Sequence, residues 1–431
     1  MNTMSQSAMF SSLRHRNARL FFLGLLVSNF GSWMQMTAVA LVVYDLTGNA
    51  TDTGINLLCQ FLPMLLLGSW AGAIADRSDK RRFTIVTQSL QGLQALVLGV
   101  LTLCHLTNLP VLYTLSLLLG VVAAFDNPAR RGFVIELVEP KEISNVVSLN
   151  TAVMTGSRIV GPALAAFLVG PLGAGWLFII NGVSFLAILW PLFAIDRTKM
   201  YPTVRADRGG TPVRDAMRFI VRDRRLFVVF VVFTLVGMFA FNYNVSLLKL
   251  SDVRFGDRRW FGILLAATGV GSLCGSLLTA ARPRVTTRWF FGNGLLLGVT
   301  GLLLAWSPGP WAAVLLSLPV GATGAAVIAG QNSIMQQESP PNMRGRLLAL
   351  SAVAFLGSTP VGAPITGWVA DHVSAEWSLG YGSVIALAAC SVGVVLRRSQ
   401  RRDVPSDEDE TSAMQVDGGH GSSVVPEATG S

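Results

Sequence analysis

The sequence predicts an all-α membrane protein in which twelve transmembrane helices form two six-helix bundles related by pseudo-symmetry. Three observations support this prediction: the chain is unusually apolar, it contains twelve apolar segments of spanning length, and its two halves repeat one another. Apolar residues make up 52% of the 431 residues and charged residues 13%, and the mean hydropathy is +0.54. A water-soluble globule of this size could not cover itself with so few charged side chains.

Twelve segments are long and apolar enough to cross a bilayer, which requires about 20 mostly apolar residues per helix. The connections between them are short, and several contain Gly or Pro clusters that favour tight turns. The predicted segments are 20–44, 51–75, 83–105, 109–127, 144–169, 173–195, 226–248, 259–281, 288–306, 310–335, 347–371 and 377–396.

The distribution of basic residues indicates how these segments are oriented. Lys and Arg near the ends of transmembrane helices are preferentially retained in the cytoplasm. Of the 33 basic residues, all but five fall on one side of the predicted membrane. The sequence therefore predicts a multi-pass protein of the cell membrane with both termini in the cytoplasm. The five exceptions are Arg158, which lies inside a segment, and Lys249, Arg254, Arg258 and Arg259.

The longest connection divides the chain into two sets of six segments. We expect an amino-terminal bundle over residues 1–195, a basic cytoplasmic linker over 196–225, a carboxy-terminal bundle over 226–397 and a disordered cytoplasmic tail over 398–431. The second half of the linker could form an amphipathic helix on anionic headgroups or remain a solvated connection. The tail is acidic, polar and rich in Gly and Ser, which is typical of disorder.

The two halves repeat one another in sequence. A shift of 201 positions brings several Gly, Ser and Pro residues of the first half into register with identical residues of the second. Parallel six-helix halves enclose a cavity at the membrane midplane that can open to either side. The matching pairs are Ser116 and Ser317, Gly120 and Gly321, Pro140 and Pro341, Leu149 and Leu350, Gly156 and Gly357, and Gly161 and Gly362.

The connection after the second segment carries the strongest motif, Gly72-Ala-Ile-Ala-Asp76-Arg77-Ser-Asp-Lys80-Arg81-Arg82. It resembles the signature between the second and third helices of the major facilitator superfamily, with Asp79 where glycine is usual. The resemblance implies that superfamily's fold and transport by alternating access, with a latch that closes the cytoplasmic ends of the halves in the outward-facing state. The basic cluster could instead serve only to set the topology. The latch residues are Gly72, Asp76, Arg77, Arg81 and Arg344.

Two further stretches are similar to the siderophore-exporter and macrolide-efflux-like members of that superfamily. Residues 125–133, with Glu136 and Asn150 after them, look like the loop that follows the fourth helix in those proteins. Residues 344–346, and the Pro and Gly residues that follow them, are similar to the region around helix eleven. Together these resemblances cover most of residues 20–396 and imply an exporter.

The fifth segment contains a motif that is similar to an element of antiporter subfamilies, where a kinked helix is thought to seal against leakage. Ala165 and Ala166 stand where the last two glycines of that element are usual. The motif implies antiport, but it could also be a generic packing face of small residues. Its kink residues are Gly156, Gly161 and Pro162.

Arg158 lies within the fifth segment, where a charged side chain is costly and normally serves a function or forms an ion pair. It could bind an anionic substrate, respond to protonation of a carboxylate, or hydrogen-bond carbonyls to hold its helix. We expect no Asp or Glu deep inside a segment. The candidates for proton coupling are therefore Arg158 and three carboxylates near segment ends, Asp45, Asp126 and Glu136.

Uncharged polar and aromatic side chains inside the segments are candidates for the wall of a substrate cavity. Each of them could instead form a hydrogen bond between helices. The apolar majority of the expected wall suits a bulky, partly hydrophobic substrate better than a sugar. The candidates are Asn29, Trp33, Gln35, Gln60, Asn150, Arg158, Asn242, Asn244, Gln331 and Asn332.

The leading hypothesis is secondary active export of a hydrophobic or amphipathic small molecule, such as a drug or siderophore, by proton-coupled antiport. The alternatives are a nutrient importer or facilitator of the same fold, and a non-transporting membrane receptor or scaffold. The sequence has no G-x-x-x-x-G-K-[ST] motif, and its four cysteines lack metal-ligand spacing. We expect a monomer in contact with lipid, with no cofactor, metal, nucleic-acid partner or enzymatic activity.

Overall fold

The computed structural model describes residues 11–201, 212–282, 284–340 and 343–402, which form helices joined by short connections. Twelve helical segments in this part of the chain are long and apolar enough to cross a membrane, so the predicted number of spans is confirmed. Spans 1 to 6 are Arg16–Thr47, Ala50–Arg77, Lys80–Leu103, Leu109–Ile135, Ile143–Leu172 and Ala174–Ala194. Spans 7 to 12 are Arg224–Phe255, Arg259–Ala280, Thr287–Ala305, Pro310–Gln337, the helix pair Arg344–Leu356 and Thr359–His372, and Ala375–Arg402.

Caps at the helix ends explain where several spans begin and end. Asp79 accepts a hydrogen bond from the backbone N–H of Arg82 at 3.0 Å and so starts span 3. Such an acceptor satisfies one of the N–H groups that have no partner in the first helical turn. Asp79 therefore has a structural reason to replace the glycine of the motif. Gly48, with a φ of 70°, ends span 1 in a left-handed conformation that glycine adopts without strain.

The same helix pairings recur in both halves. Span 1 packs against spans 5 and 6, and span 7 packs in the same way against spans 11 and 12. Span 2 packs against span 4 and span 3 against span 6, as span 8 does against span 10 and span 9 against span 12. The prediction of two pseudo-symmetric six-helix bundles is confirmed. The halves meet where span 2 packs against span 11 and where span 5 packs against span 8.

Glycines that the repeat brought into register occupy equivalent close crossings. A Cβ at Gly120 of span 4 would lie 2.1 Å from the carbonyl oxygen of Gln60 in span 2. A Cβ at Gly321 of span 10 would lie 1.9 Å from the carbonyl oxygen of Thr268 in span 8. Glycine is required at both sites because lipid-embedded helices associate through close backbone packing.

The second half differs from the first in having broken helices. Span 7 is interrupted at residues 241–242 and span 11 at residues 357–358, whereas spans 1 and 5 are continuous. The two breaks lie against each other, since a Cβ at Gly362 would lie 1.7 Å from the carbonyl oxygen of Met238. Asn242 donates from Nδ2 to that carbonyl at 2.7 Å and satisfies it beside the break. Irregular backbone at membrane depth is tolerated where it lines a cavity.

Spans 4 and 7 extend well beyond their predicted ends, and both extensions include residues that we expected in connections. Span 4 continues as a helix beyond residue 127 to Ile135, so the stretch 125–133 is helical and the expectation of a loop there was wrong. Span 7 continues to Phe255 and includes Lys249 and Arg254, which we expected in a connection. Ion pairs with Asp371 and Glu376 offset the cost of placing these two cations on a helix at the membrane boundary.

The described part of the linker contains the helix Pro212–Arg222. Ala216 and Ile220 are fully buried against span 7 and the first helix of span 11. Because they are four positions apart, they lie on one helical face. The apolar face of the expected amphipathic helix thus contacts protein. Residues 202–211 of the linker and 403–431 of the predicted tail lie outside the described residues.

We predict that Gly275→Leu lowers the thermal stability of the protein. A Cβ at Gly275 of span 8 would lie 1.9 Å from the carbonyl oxygen of Ala322 in span 10, and such overpacking costs about 1–3 kcal/mol or more. The measurement is the melting temperature in detergent, which we expect to fall by several degrees. Gly292→Leu is the control, because a Cβ there meets nothing within 4 Å. Equal melting temperatures for the two variants would contradict the close crossing.

Candidate transport cavity and distal gate

The spans alternate in direction, so the start of span 1 and the end of span 12 lie on one face of the bundle. We call this the terminal face and the opposite one the distal face. The distal face carries the connections from span 1 to span 2, from span 7 to span 8 and from span 11 to span 12. The connection from span 2 to span 3 lies on the terminal face.

A cavity of about 1030 Å³, counting the part open to solvent, lies between the two halves. Spans 1, 2 and 5 form one side of its wall, and spans 7, 8, 10 and 11 form the other. Most of the wall is apolar, which suits a ligand with a large apolar surface. The apolar lining residues include Met36, Phe61, Leu265, Val320, Ile328 and Phe355.

Four of the ten side chains predicted for a substrate cavity line this wall: Trp33, Arg158, Asn242 and Asn244. They come from spans 1, 5 and 7 and so from both halves. Their contact with a substrate stays a prediction.

Gln35 and Gln331 lie outside the cavity wall, and both are hydrogen-bonded to neighbouring helices instead. Gln35 is buried in the first half, where it donates to Gln94 Oε1 at 3.1 Å and accepts from Asn181 Nδ2 at 2.7 Å. Gln331 is buried in the second half and donates to Ser351 Oγ at 2.7 Å. These bonds are favourable because an unpaired amide is costly in an apolar interior. The other candidates outside the described lining are Asn29, Gln60, Asn150 and Asn332.

Arg158 lies midway along the 30 residues of span 5 and lines the cavity. Its guanidinium carbon is 5.0 Å from the centroid of the Trp33 ring, a distance typical of a cation–π contact. Among the described residues, no carboxylate lies within ion-pair distance of this guanidinium. Pro162, four positions further on, has no N–H, so the Arg158 carbonyl lacks its usual helical donor.

The other motif residues of span 5 have separate packing roles. A Cβ at Gly161 would lie 2.3 Å from the Cβ of Trp33, so Gly161 permits the close approach of span 1. A Cβ at Gly156 would meet nothing within 4 Å. Ala166, which replaces a usual glycine, faces Gly262 of span 8, where a Cβ would lie 2.3 Å from the Ala166 Cβ. The partner helix thus supplies the small residue that the motif lacks.

Charged and aromatic side chains join the two halves at the distal face. Tyr44 of span 1 donates from Oη to Asp252 of span 7 at 2.8 Å. Arg258 pairs with Asp45 of span 1 and donates from Nε to Asp252 at 2.8 Å. The Tyr44 ring also lies near two cations, with Lys249 Nζ 5.4 Å and Arg258 Cζ 5.0 Å from its centroid. The first span is therefore held to the start of the second half.

Asp371, at the end of span 11, caps the start of span 2. Its carboxylate oxygens accept from the backbone N–H groups of Ala50 at 2.9 Å and Thr51 at 2.8 Å. Lys249 Nζ donates to the same carboxylate at 2.8 Å. Asn49, the local N-cap residue, makes no side-chain cap hydrogen bond, so the cap comes from the other half of the protein. We call the following set the distal gate: Tyr44, Asp45, Lys249, Asp252, Arg258 and Asp371.

Asp257, also at the distal face, is engaged within its own half. The Arg259 side chain donates to it from Nε, and the Arg259 backbone N–H donates to it at 2.9 Å. These bonds hold the pKa of Asp257 below its usual range. Asp257 therefore stays ionised at neutral pH without joining the gate.

Small residues allow close packing of the two halves between the distal gate and the cavity. A Cβ at Gly54 of span 2 would lie 2.4 Å from the carbonyl oxygen of Ala363, and one at Gly367 would lie 2.5 Å from that of Ala50. At the second contact, a Cβ at Gly269 of span 8 would lie 2.7 Å from Ile159 of span 5. The distal end of the cavity is closed by backbone-level packing as well as by charge.

Toward the terminal face, three glycines of spans 2 and 5 border open space. A Cβ at Gly68 or Gly72 of span 2, or at Gly156 of span 5, would meet no atom within 4 Å. Every cross-half hydrogen bond and ion pair found between described residues lies at the distal face. The polar contacts between described residues of the two halves are thus concentrated at the distal face.

The predicted latch lies at the terminal face, where Arg81 is engaged within the first half. It donates to the carbonyls of Leu192 at 2.6 Å and Phe193 at 3.1 Å and so caps the end of span 6. Gly72 and Arg77 belong to the last turns of span 2. The side chains of Asp76 and Arg344 lie outside the described part of the structure. The latch therefore stays a prediction.

Asp126, which we expected near the end of the fourth segment, is a buried carboxylate inside span 4, because the helix continues beyond it to Ile135. It is 3% exposed and pairs with Arg130 one turn away, at 3.0 Å. Thr87 Oγ1 and Gln88 Nε2 of span 3 donate to it at 2.7 Å and 2.9 Å. These partners compensate its burial and allow the helix to continue past it. Glu136, beyond the end of span 4, pairs with Lys80 at 2.7 Å.

Sequence reasoning missed Tyr44, Asp252 and Asp371 of the gate, and Tyr243 in the cavity wall. A signal for the gate was present, because Lys249 and Arg258 depart from the side preferred by the other basic residues. Basic residues on the translocated side are unfavourable unless acidic partners accompany them. Tyr243 had no comparable signal in the sequence.

The transmembrane secretion effector family matches residues 7–425, and the chain belongs to this family of the major facilitator superfamily. The chain is similar to the staphyloferrin A transporter of Staphylococcus aureus, with 26% identity over 60% of this chain and 66% of that protein, just under two thirds of its length. It is also similar to the multidrug efflux pump Tap of Mycolicibacterium fortuitum, with 25% identity over 90% of this chain and 97% of that protein. The resemblance to the exporter-like branch is confirmed.

A solved structure shares the fold. It is a bacterial homologue of the human lysosomal transporter Spinster in an inward-facing and unoccupied conformation. The TM-score is 0.68 at 14% identity, over 91% of this chain and 98% of that chain. The major facilitator fold expected from the motifs is therefore confirmed.

We predict that Asp371→Asn opens the distal face. The amide carries no charge to pair with Lys249 or to cap span 2, and charge-assisted bonds are worth about 1.5–3 kcal/mol. We expect the distally open fraction to rise at least tenfold, which corresponds to about 1.4 kcal/mol. The measurement is the electron spin-label distance between Leu46→Cys and Val373→Cys, both exposed at the distal face, in a cysteine-free background.

Asp257→Asn is the matched control for Asp371→Asn, because it removes a distal carboxylate that is paired within its own half. It should leave the distance distribution unchanged. A distribution for Asp371→Asn that equals that of the parent protein would contradict the cross-half cap.

Proposed function

We propose that this protein exports a hydrophobic or amphipathic small molecule across the cell membrane by alternating access. The observation that carries this proposal is a mostly apolar cavity between two halves that are joined at one face. The secretion-effector family and the efflux pump among the relatives support the outward direction. An importer of the same fold would differ from an exporter in the direction of transport. A facilitator would differ in that it does not accumulate its substrate against a gradient.

The terminal face is the cytoplasmic face in this proposal. The connection after span 2 carries Arg77, Lys80, Arg81 and Arg82, and basic residues of this kind are retained in the cytoplasm. Both chain termini are then cytoplasmic. The described conformation corresponds to the inward-facing state, in which a molecule enters the cavity from the cytoplasm or the inner leaflet.

Spans 2 and 11 hold the two halves together in both the inward-facing and the outward-facing state. At the distal face, the Asp371 carboxylate at the end of span 11 caps the start of span 2. At the terminal face, the motif puts Asp76 at the end of span 2, and span 11 begins at Arg344. Capping of span 11 by Asp76 would close the terminal face by the same interaction. The Asp371 cap forms when the distal face is closed, and the Asp76 cap forms when the terminal face is closed. The transport cycle breaks one cap and forms the other.

Proton coupling is assigned to Asp126 in this proposal. Asp45 is half exposed within the distal gate, and Glu136 lies beyond the end of span 4. Asp126 is buried between spans 3 and 4, so its protonation would release Arg130 and change the hydrogen bonds between the two helices. Binding a proton at this site would therefore change the packing of two helices inside the first half.

We predict that inverted membrane vesicles with an acidic interior accumulate amphipathic dyes when they contain this protein. The panel is ethidium, Nile red and dansylglycine, and the measurement is dye fluorescence against vesicles that lack the protein. We expect a several-fold accumulation of at least one dye and its collapse on addition of a protonophore.

The other outcomes of this experiment identify the alternatives. Equilibration without accumulation, insensitive to the protonophore, would indicate a facilitator. Accumulation in right-side-out vesicles would indicate an importer. Transport of no dye in either orientation would reject the proposal for this class of substrate.

We predict that Asp126→Asn uncouples transport from the proton gradient. The amide preserves the size of the side chain but has no charge to lose, so accumulation should fall to the protonophore-treated level while dye exchange down its own gradient persists. Asp52→Asn is the matched control, because Asp52 accepts a hydrogen bond from Tyr113 within the same half at 2.9 Å. Unchanged pH-driven accumulation by a folded Asp126→Asn protein would remove Asp126 from the coupling mechanism.

A further inference from the structure

Arg158 lies at the centre of a membrane-spanning helix and has no counter-ion among the described residues. It forms no hydrogen bond or ion pair with any described residue, and its one described contact is with the face of the Trp33 ring. A cation at this depth is costly unless it is paired or hydrated. Of the three roles considered from the sequence, anchoring by carbonyls and pairing with a carboxylate are not observed in the described residues.

The side chain is placed to meet a ligand. Although Arg158 lies midway along span 5, its side chain is solvent-exposed and lines the cavity wall. A guanidinium presents several N–H donors in a planar fork that matches a carboxylate. The guanidinium carbon lies over the Trp33 ring, and no N–H of the guanidinium donates to a described residue.

A second polar group in the same wall has no partner. The hydroxyl of Tyr243, beside the break in span 7, is buried and forms no hydrogen bond with any described residue. A buried hydroxyl without a partner costs about 1–3 kcal/mol. Asn244 adds an amide to this part of the wall. Polar side chains from both halves thus line a cavity whose remaining surface is mostly apolar and aromatic.

We infer that the cavity binds an amphipathic organic anion, with its acidic group on Arg158 and its apolar body against the aromatic and aliphatic wall. The inference rests on the proposed function, because it names the class of molecule that the exporter carries. The anion supplies a counter-charge that none of the described residues provides at this position. The Tyr243 hydroxyl is a further donor to the bound molecule.

The test compares two probes that differ in charge. Dansylglycine and its uncharged N-methylamide are titrated against the purified protein in phosphatidylcholine nanodiscs, and binding is followed by dansyl fluorescence. We expect the acid to bind at least tenfold more tightly than the amide. Arg158→Gln should weaken binding of the acid at least tenfold and change that of the amide less than twofold, and Arg158→Lys should keep part of the preference.

Arg282→Gln is the matched control, because Arg282 also stacks on a tryptophan, 3.5 Å from the centroid of Trp289, but lies outside the cavity wall. It should bind both probes like the wild type. Equal affinity of the wild type for both probes, or no binding of the acid, would overturn the inference. An equal loss of both probes in Arg158→Gln would also overturn it, since that result indicates a structural role.

Two further comparisons separate related explanations. Adding phosphatidylglycerol to the nanodiscs should weaken dansylglycine binding if an anionic lipid occupies the same site, and should leave it unchanged if the site takes soluble anions. Binding in nanodiscs is measured independently of vesicle transport. A preference for the acid without vesicle accumulation would reject export and keep the anion site, whereas accumulation of dyes without that preference would do the reverse.

Discussion

The closed distal face of this protein depends on the N–H groups at the start of span 2, which have no partner within their own helix. The local N-cap residue Asn49 does not satisfy them, and Asp371 of the other half does. A cap within one helix stabilises that helix alone, whereas a cap supplied across the halves forms only when the halves touch. The close contacts at Gly54 and Gly367 lie on the same pair of spans and follow from the same approach. The cavity is closed at one end because this contact holds.

The sequence was informative where the signal was local and failed where it depended on how helices are rotated. Hydropathy predicted the twelve spans, and the repeat paired Gly120 with Gly321, which the structure shows at equivalent crossings. For Gln35 and Gln331 the sequence left open a cavity wall or an interhelical hydrogen bond, because a helix that is apolar on all sides has no amphipathic pattern to identify its inward face; the structure shows the hydrogen bonds. The burial of Asp126 depends on donors from another helix, which no spacing along the chain reveals.

The two halves share a repeat but contribute different properties to the cavity. The shift that pairs Gly156 with Gly357 also pairs Arg158 with Thr359, and both of the latter residues line the wall. The first half supplies the charge on a continuous helix, and the second supplies a neutral side chain beside a helix break. A pseudo-symmetric scaffold thereby produces a cavity with one charged side, which gives a bound molecule a preferred orientation.

The breaks in spans 7 and 11 divide each span into a distal helix and a helix nearer the terminal face, which can move relative to one another. The distal pieces of spans 7 and 11, Tyr243–Phe255 and Thr359–His372, carry the gate residues of the second half that lie on these spans. The other pieces, Arg224–Ala240 and Arg344–Leu356, hold the linker helix. A helix interrupted at its midpoint bends there more readily than elsewhere. In the proposed export cycle, the two pieces nearer the terminal face bend toward the cavity while the distal gate stays intact, so closure around a bound molecule does not require rotation of the whole half.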